Sequence, residues 1–305
     1  MIAKPSRHIG SITLAAALGF LAGCAGSSAS QPDEPSPKEA SAEETAAEPT
    51  TPDIPDSELV LWLRPEASQF ETTGDKVTNW KDASGYGNDM IAPGNTFRPT
   101  LDADAFGGRG AVRFDGQDDM LLRDGFSPER LPMATVFIVA APAANTGQFD
   151  GLLSAGNRNA EDSFTGFHVD LGGGAWTGCD EKYPDSTTAL NTINVQSAKT
   201  TVTCGQDFLE DSVPFARPAL ISVTIDDTQT AVRLDGKEQK VAGGGPDLLT
   251  VPQVRLGARF HRQKYQGYYD GAISEVLVYG QSLSEADIAK VEAYLGDKYG
   301  IAISQ

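Results

Sequence analysis

The chain has 305 residues, a formal net charge of −18 and a hydrophobic fraction of 40%. So negative a chain repels phosphate backbones and anionic headgroups unless a basic patch offsets the field, which excludes nucleic acid as a partner here. The densest basic run, Arg259, His261, Arg262 and Lys264, is too short to be such a patch. With 32 glycines and 18 prolines the composition favours many turns over long helices and leans towards an all-β fold.

Lys4 and Arg7 precede Ile9 to Leu21, an apolar run of about thirteen residues, which is too short for a stable bilayer span and suits an export signal. The run closes on Leu21-Ala22-Gly23-Cys24, which resembles the lipobox of bacterial lipoproteins. In that pattern small residues admit the signal peptidase and the Cys24 thiol carries the lipid. Ala25 rather than Asp follows the cysteine, and in lipoproteins that sorting pattern implies the outer membrane or cell surface. Residues 1–23 are therefore expected to be a lipoprotein signal peptide.

Residues 24–56 are rich in Ser, Ala, Pro and Glu, lack aromatic residues, and set Glu34, Glu39, Glu43, Glu44 and other acids against Lys38 alone. Such a segment buries too little apolar surface to offset its ordering entropy and is expected to be a disordered acidic tether. As a flexible coil its ends would lie on the order of 30 Å apart.

A folded region is expected over 57–305. Glu58 to Leu63 reads as an apolar strand, followed by Val77 to Asp82 and a glycine-rich loop, Ala83 to Asp89; Trp62 and Trp80 are assigned to the core. Arg98 to Leu101 runs extended. In Ala111 to Leu122, AVRFDGQDDMLL, Val112 and Phe114 alternate with Arg113, Asp115-Gly116 supplies a turn, and apolar residues resume. Ala134 to Ala140, Gly151 to Ser154, Gly166 to Leu171, Leu220 to Ile225, Val254 to Gly257 and Ile273 to Tyr279 read as further strands. Ala231 to Leu234 meets Asp235-Gly236, a two-residue hairpin signal. A single helix follows Ser284, whose side chain can cap it with Asp287 in the return position; Ile288, Val291, Leu295 and Tyr299 form its apolar stripe and Gly300 ends it. Successive strands without intervening amphipathic helices predict a two-sheet antiparallel sandwich with one C-terminal α-helix.

The succession LVLWLRPEAS, VTNWKDASGYGNDM, RPTL and GAVRFDGQDDMLL, with YYDGAISEVLVYGQSLSEADIAKVEAYLGDKYGI at the end, resembles concanavalin A-like, laminin G-type jelly-roll domains. The resemblance covers both ends of the folded region. It implies a jelly-roll sandwich, carbohydrate or protein binding, and in some members a calcium ion at the rim.

Several groups of residues could carry chemistry. Cys179 and Cys204 flank a polar excursion, residues 180–203, and with Cys24 lipidated they are each other's available partner for a disulfide, worth roughly 3 kcal/mol for a loop of this size. Asp115, Asp118 and Asp119, with Asp82 and Asn88 from the preceding loop, offer the oxygen ligands calcium takes; turns also favour these residue types for their own geometry. Trp176, Tyr183, Tyr265 and Tyr268 lie in polar surroundings, where rings stack on sugars and neighbours bond hydroxyls. Beyond the signal only His168 and His261 remain, no G-x-S-x-G or H-E-x-x-H occurs, and no carboxylate pair can be nominated for glycoside hydrolysis. The expectation is a non-enzymatic, lipid-anchored envelope module for binding or adhesion, with glycan as ligand. The alternatives are a structural or protein-interaction component of the envelope and, third, a polysaccharide hydrolase.

Overall fold

The apolar runs are too short and too closely spaced to bury themselves as helices, and stacked sheets are the arrangement that covers them. The computed structural model describes residues 52–172, 192–199, 206–209, 212–261 and 263–304. In chain order these carry β1 (Leu59–Leu63), β2 (Phe70–Thr73), β3 (Lys76–Trp80), β4 (Met90–Ile91), β5 (Thr100–Asp102), β6 (Ala111–Asp115) and β7 (Leu121–Asp124). There follow β8 (Arg130–Leu131), β9 (Ala134–Pro142), β10 (Gly151–Gly156), the one-turn helix α1 (Asp162–Thr165), β11 (Phe167–Leu171), β12 (Ile193–Ser197) and β13 (Gln206–Phe208). The remainder is β14 (Ala219–Ile225), β15 (Gln229–Leu234), β16 (Lys237–Ala242), β17 (Leu249–Thr250), β18 (Gln253–Leu256), β19 (Arg259–His261), β20 (Lys264–Gln266), β21 (Asp270–Tyr279) and α2 (Glu285–Tyr299).

Two antiparallel layers result. One runs β16-β15-β14-β9-β21, and the far edge of the long β21 is shared end to end by β1 and β6. The other runs β7-β18-β10-β11-β12-β13. The ladder turns the corner between them through β5, β3 and β4, where Lys76 pairs with Thr100 and Ile91 with Leu122. β6 and β7 therefore bond to different partners, and the acidic turn between them carries the chain from one layer to the other.

Between the layers lie Val112, Phe114, Ile138, Ile221 and Val276 from one side and Leu121, Leu153, Val169, Val195 and Leu256 from the other. Each such side chain contributes about 1.5–3 kcal/mol by leaving water. The second face of the first layer is also covered: Phe137, Val139, Leu277 and Tyr279 pack with Trp62 against Ile288, Val291, Leu295 and Tyr299 of α2. Burial on both faces explains why β9 reads ATVFIVAAP, without polar alternation. Trp62 and Trp80 are both buried, Trp80 completely.

Local signals act where the sequence places them. Asp235 and Gly236 have φ of 50° and 82°, the paired left-handed conformation of a two-residue hairpin turn, joining Leu234 to Lys237. Ser284 Oγ accepts from Asp287 N at 3.2 Å and donates to Asp287 Oδ2 at 2.7 Å, fixing the start of α2. Beneath the helix Glu275 is fully buried and bound by Trp62 Nε1 at 2.8 Å, Tyr294 OH at 3.1 Å, Tyr299 OH at 2.8 Å and Lys298 Nζ at 2.7 Å. The chain is anchored ahead of β1, where Tyr279 OH donates to Pro55 O at 2.9 Å and Gln281 Nε2 to Ser57 O at 2.8 Å.

One expectation needs correcting. The stretch 180–203 is not a polar excursion throughout, because Ile193–Ser197 within it is β12, buried along its length and paired on both sides. Ile193 and Val195 point into the core while Asn194 and Gln196 face outward into a second buried environment.

Candidate functional site

At one end of the sandwich three segments converge on the acidic turn. Gly116 N donates to Tyr269 O at 3.0 Å and Met120 N to Phe97 O at 2.9 Å, which ties the turn to the start of β21 and to the loop before β5. Tyr265 packs edge-on against Phe97, ring centres 6.5 Å apart, and against Phe260 at 5.6 Å. Tyr265 and Tyr268 are each half-buried, and the Arg255 guanidinium lies over the Tyr265 ring, 5.8 Å from its centre. Burial raises the Tyr268 hydroxyl pKa, and the nearby Asp118 carboxylate raises it further. Rings beside carboxylates can stack on an apolar sugar face while bonding its hydroxyls.

Asp115, Asp118 and Asp119 present carboxylate oxygens within 4.8 Å of one another, the first two exposed and the third buried. Burial, then the charge of Asp115, pushes Asp119 up to about 6. A hard cation would relieve that crowding, and the donor chemistry fits calcium, with water supplying the rest of its six to eight oxygens. Part of the cluster also shapes its own turn, since Asp115 Oδ1 accepts from Gln117 N at 2.9 Å and Asp118 N at 3.4 Å.

Asp82 and Asn88 belong to a different network. Asp82 Oδ1 accepts from Trp62 N and Ser84 N, and its Oδ2 from Ser84 Oγ and Asn88 N, all between 2.7 and 2.9 Å. Asn88 is completely buried and donates to Val60 O at 2.8 Å and Ser127 O at 2.7 Å while accepting from Ser127 N at 3.0 Å. Their lone pairs and protons are committed to joining the Asp82–Asn88 loop to Val60, Trp62 and Ser127, and among the described residues no hydrogen bond links them to the Asp115 turn.

A second polar assembly, which the strand pattern alone did not single out, lies on the outer face of the layer β10-β11-β12-β13. Phe167, Val169 and Leu171 of β11 point into the core, so His168 and Asp170 point away from it. Both are fully buried, as is Asp162 of α1. Arg259 bridges them: Nε and Nη2 donate to Asp162 at 3.2 and 3.0 Å, and Nη1 lies 3.0 Å from Asp170 Oδ2. Nη2 also lies 3.1 Å from His168 Nδ1, which is 3.3 Å from Asp162 Oδ1, while His168 Nε2 lies 3.2 Å from Asn194 Oδ1 and 3.3 Å from Asp170 Oδ2. Asn194 in turn donates to Asp207 Oδ1 at 2.8 Å.

The environment separates the charges. Burial disfavours the Asp162 anion, yet Arg259 and His168 together hold its pKa well below the usual carboxylate range. For Asp170 burial prevails over Arg259 and the pKa lies well above that range. Burial, reinforced by Arg259, lowers that of His168. His168 and Asp170, packed around the Arg259–Asp162 pair and all buried, form a clamp joining α1, β11, β12 and β19. The sequence signal was polar alternation on neighbouring strands: His168 and Asp170, Asn194 and Gln196, Gln253 and Arg255.

Cys24, Cys179, Cys204, Trp176 and Tyr183 lie outside the described residues.

No family model matches the chain, and no curated protein matches it. Among solved structures it is similar to domain 4 of AbnA, a GH43 extracellular arabinanase from Geobacillus stearothermophilus, in complex with arabinotriose. The TM-score is 0.51 at 13% identity, over 77% of this chain and 98% of that one. It is also similar to the ligand-binding domain of botulinum neurotoxin serotype D in complex with N-acetylneuraminic acid, with a TM-score of 0.52 and 10% identity over 79% of this chain. The binding domain of botulinum neurotoxin DC in complex with SialylT gives a TM-score of 0.51 at 11% identity. The chain spans 52% of each neurotoxin domain. At these identities the likeness is one of fold, and the chain is an all-β antiparallel sandwich closed by a C-terminal helix.

Proposed function

We propose that the chain is a lipid-anchored envelope protein whose sandwich domain binds glycans at the rim formed by the acidic turn, Tyr265 and Tyr268. The observation that carries this reading is the convergence of two half-buried tyrosine rings with the exposed carboxylates of Asp115 and Asp118 at one end of the fold. It is supported by a shared fold with domains solved bound to arabinotriose and N-acetylneuraminic acid. In this reading residues 1–23 direct export, Cys24 carries the lipid, residues 24–56 act as spacer, and the domain projects from the outer membrane or cell surface. Calcium at Asp115, Asp118 and Asp119 would order the turn beneath the sugar, and a Cys179–Cys204 disulfide would staple the segment between them.

The test is a glycan array probed with the full chain, followed by affinity measurement for the best ligand. Tyr268→Ala removes one stacking surface and should weaken that ligand at least tenfold while leaving the melting temperature within a few degrees. Retention of no glycan by the parent, or unchanged affinity in both Tyr265→Ala and Tyr268→Ala, would overturn the assignment.

A further inference from the structure

A cleft of about 460 Å³ runs between the helix α2 and the hairpin β15–β16, with Ala289, Ala293 and Ile303 among its walls. Beside its walls is an ion quartet, of which Arg233, Glu238 and Glu285 line the cleft. Arg233 pairs with Glu238 at 2.6 Å and with Glu285, and Lys240 pairs with Glu238 at 3.1 Å and Glu285 at 3.2 Å. Two cations and two carboxylates balance there. Glu292, which also lines the cleft, is left over.

Glu292 is 5% exposed and its Oε1 has no hydrogen-bond partner. The Ser222 hydroxyl, 4% exposed on β14, is the polar group beside that carboxyl. A buried, unpartnered carboxylate oxygen costs free energy in the empty protein, and such groups are retained where something else completes them. The side walls are methyl groups and the ion quartet is charge-balanced, so the excess charge is the Glu292 carboxylate. We propose that this cleft is a second ligand site, distinct from the glycan rim, which takes a small molecule carrying a primary ammonium group on a short aliphatic segment. Glu292 receives the ammonium, and Ala289, Ala293 and Ile303 cover the methylenes.

Consistent with this, burial raises the Glu292 pKa; Ser222 and Arg233 oppose the shift, and Glu238 and Glu285 add to it. An ammonium seated on Oε1 acts against that burial penalty.

The test titrates 1,5-diaminopentane into the full chain by calorimetry, with 1-pentanol as the uncharged control. The diamine should bind saturably and at least tenfold more tightly than the alcohol. Glu292→Gln, nearly the same shape without the charge, should weaken it at least tenfold. Ala293→Trp, at an exposed helix position, should block the cleft to the same extent without touching the core. A diamine that fails to saturate, that binds no better than pentanol, or that binds both variants as it binds the parent overturns the proposal. Glycan affinity measured alongside should be unchanged in both variants, which separates this site from the rim.

Discussion

Replacing Arg259 by Met keeps most of the buried stem and removes the guanidinium that contacts Asp162, Asp170 and His168. Both carboxyls then lose their counter-charge where no water reaches them. Removing one partner of a buried pair costs about 3–5 kcal/mol, a large share of the roughly 5–15 kcal/mol that holds a domain together. At about 2–4 °C per kcal/mol for a domain of this size, the melting temperature should fall by about 6–20 °C.

The loss has a pH signature. In the parent the Asp162 pKa is depressed, so its contribution is present above the unfolded value of about 4 and fades as pH falls through the native one. Without Arg259 only His168 opposes burial, so that pKa moves upward and the stability Asp162 adds at neutral pH shrinks most where the carboxyl must carry its charge. The Asp170 pKa is raised already, and Arg259 is the charge that restrains it. Both groups therefore make the variant fare worse at pH 7.5 than at pH 4.5. Urea unfolding followed by the fluorescence of buried Trp62 and Trp80 measures this. A deficit under about 1 kcal/mol at pH 7.5, or one that widens on acidification, refutes the clamp.

Gly257 has φ of +80°, and a Cβ there would land on the ring of Phe114. Gly257→Ala combines about 1–2 kcal/mol of left-handed strain with about 1–3 kcal/mol of overpacking, and a thermal melt that moves by less than 2 °C would mean the strand relaxes freely. Calcium at a hundred times its dissociation constant should stabilise the fold by about 2.7 kcal/mol. The calcium-induced rise in melting temperature should vanish in Asp119→Asn, and in the parent it should shrink as pH falls through about 6, where Asp119 takes up its proton; no shift with calcium at pH 7.5 retires the metal.

What could be read from the chain depended on how many residues repeat a signal. Nine residues of β9 and the capped helix α2 are unmistakable because apolar period and end signals agree. β4, β8 and β17 have two residues each, too few to show any period; β4 fits between the open ladders of β3 and β7, and β8 and β17 pair with each other. β12 was obscured for another reason. Its polar alternation, which ordinarily marks a solvent face, here faces α1 and Arg259, so polarity and burial coincide. The same inversion concealed the His168 clamp, and it turned Arg259 from a member of a surface basic run into a buried counter-ion. At the rim, Asp115, Asp118 and Asp119 were legible as a group because they are neighbours in sequence, whereas the separate duty of Asp82 and Asn88 depends on Val60 and Ser127, far along the chain.

The first strand of the fold is hydrogen-bonded to the last. β1 runs antiparallel to β21 from Leu59 opposite Tyr279 to Leu63 opposite Val276, and Pro55 and Ser57 are held ahead of it. A pull applied to the chain upstream of Pro55 along the strand axis therefore loads these bonds in shear, several at once, instead of peeling them singly. β21 hands the load to β9 through its other edge, in the middle of the layer. The domain thus has its mechanical clamp at the end where a tether would draw on it.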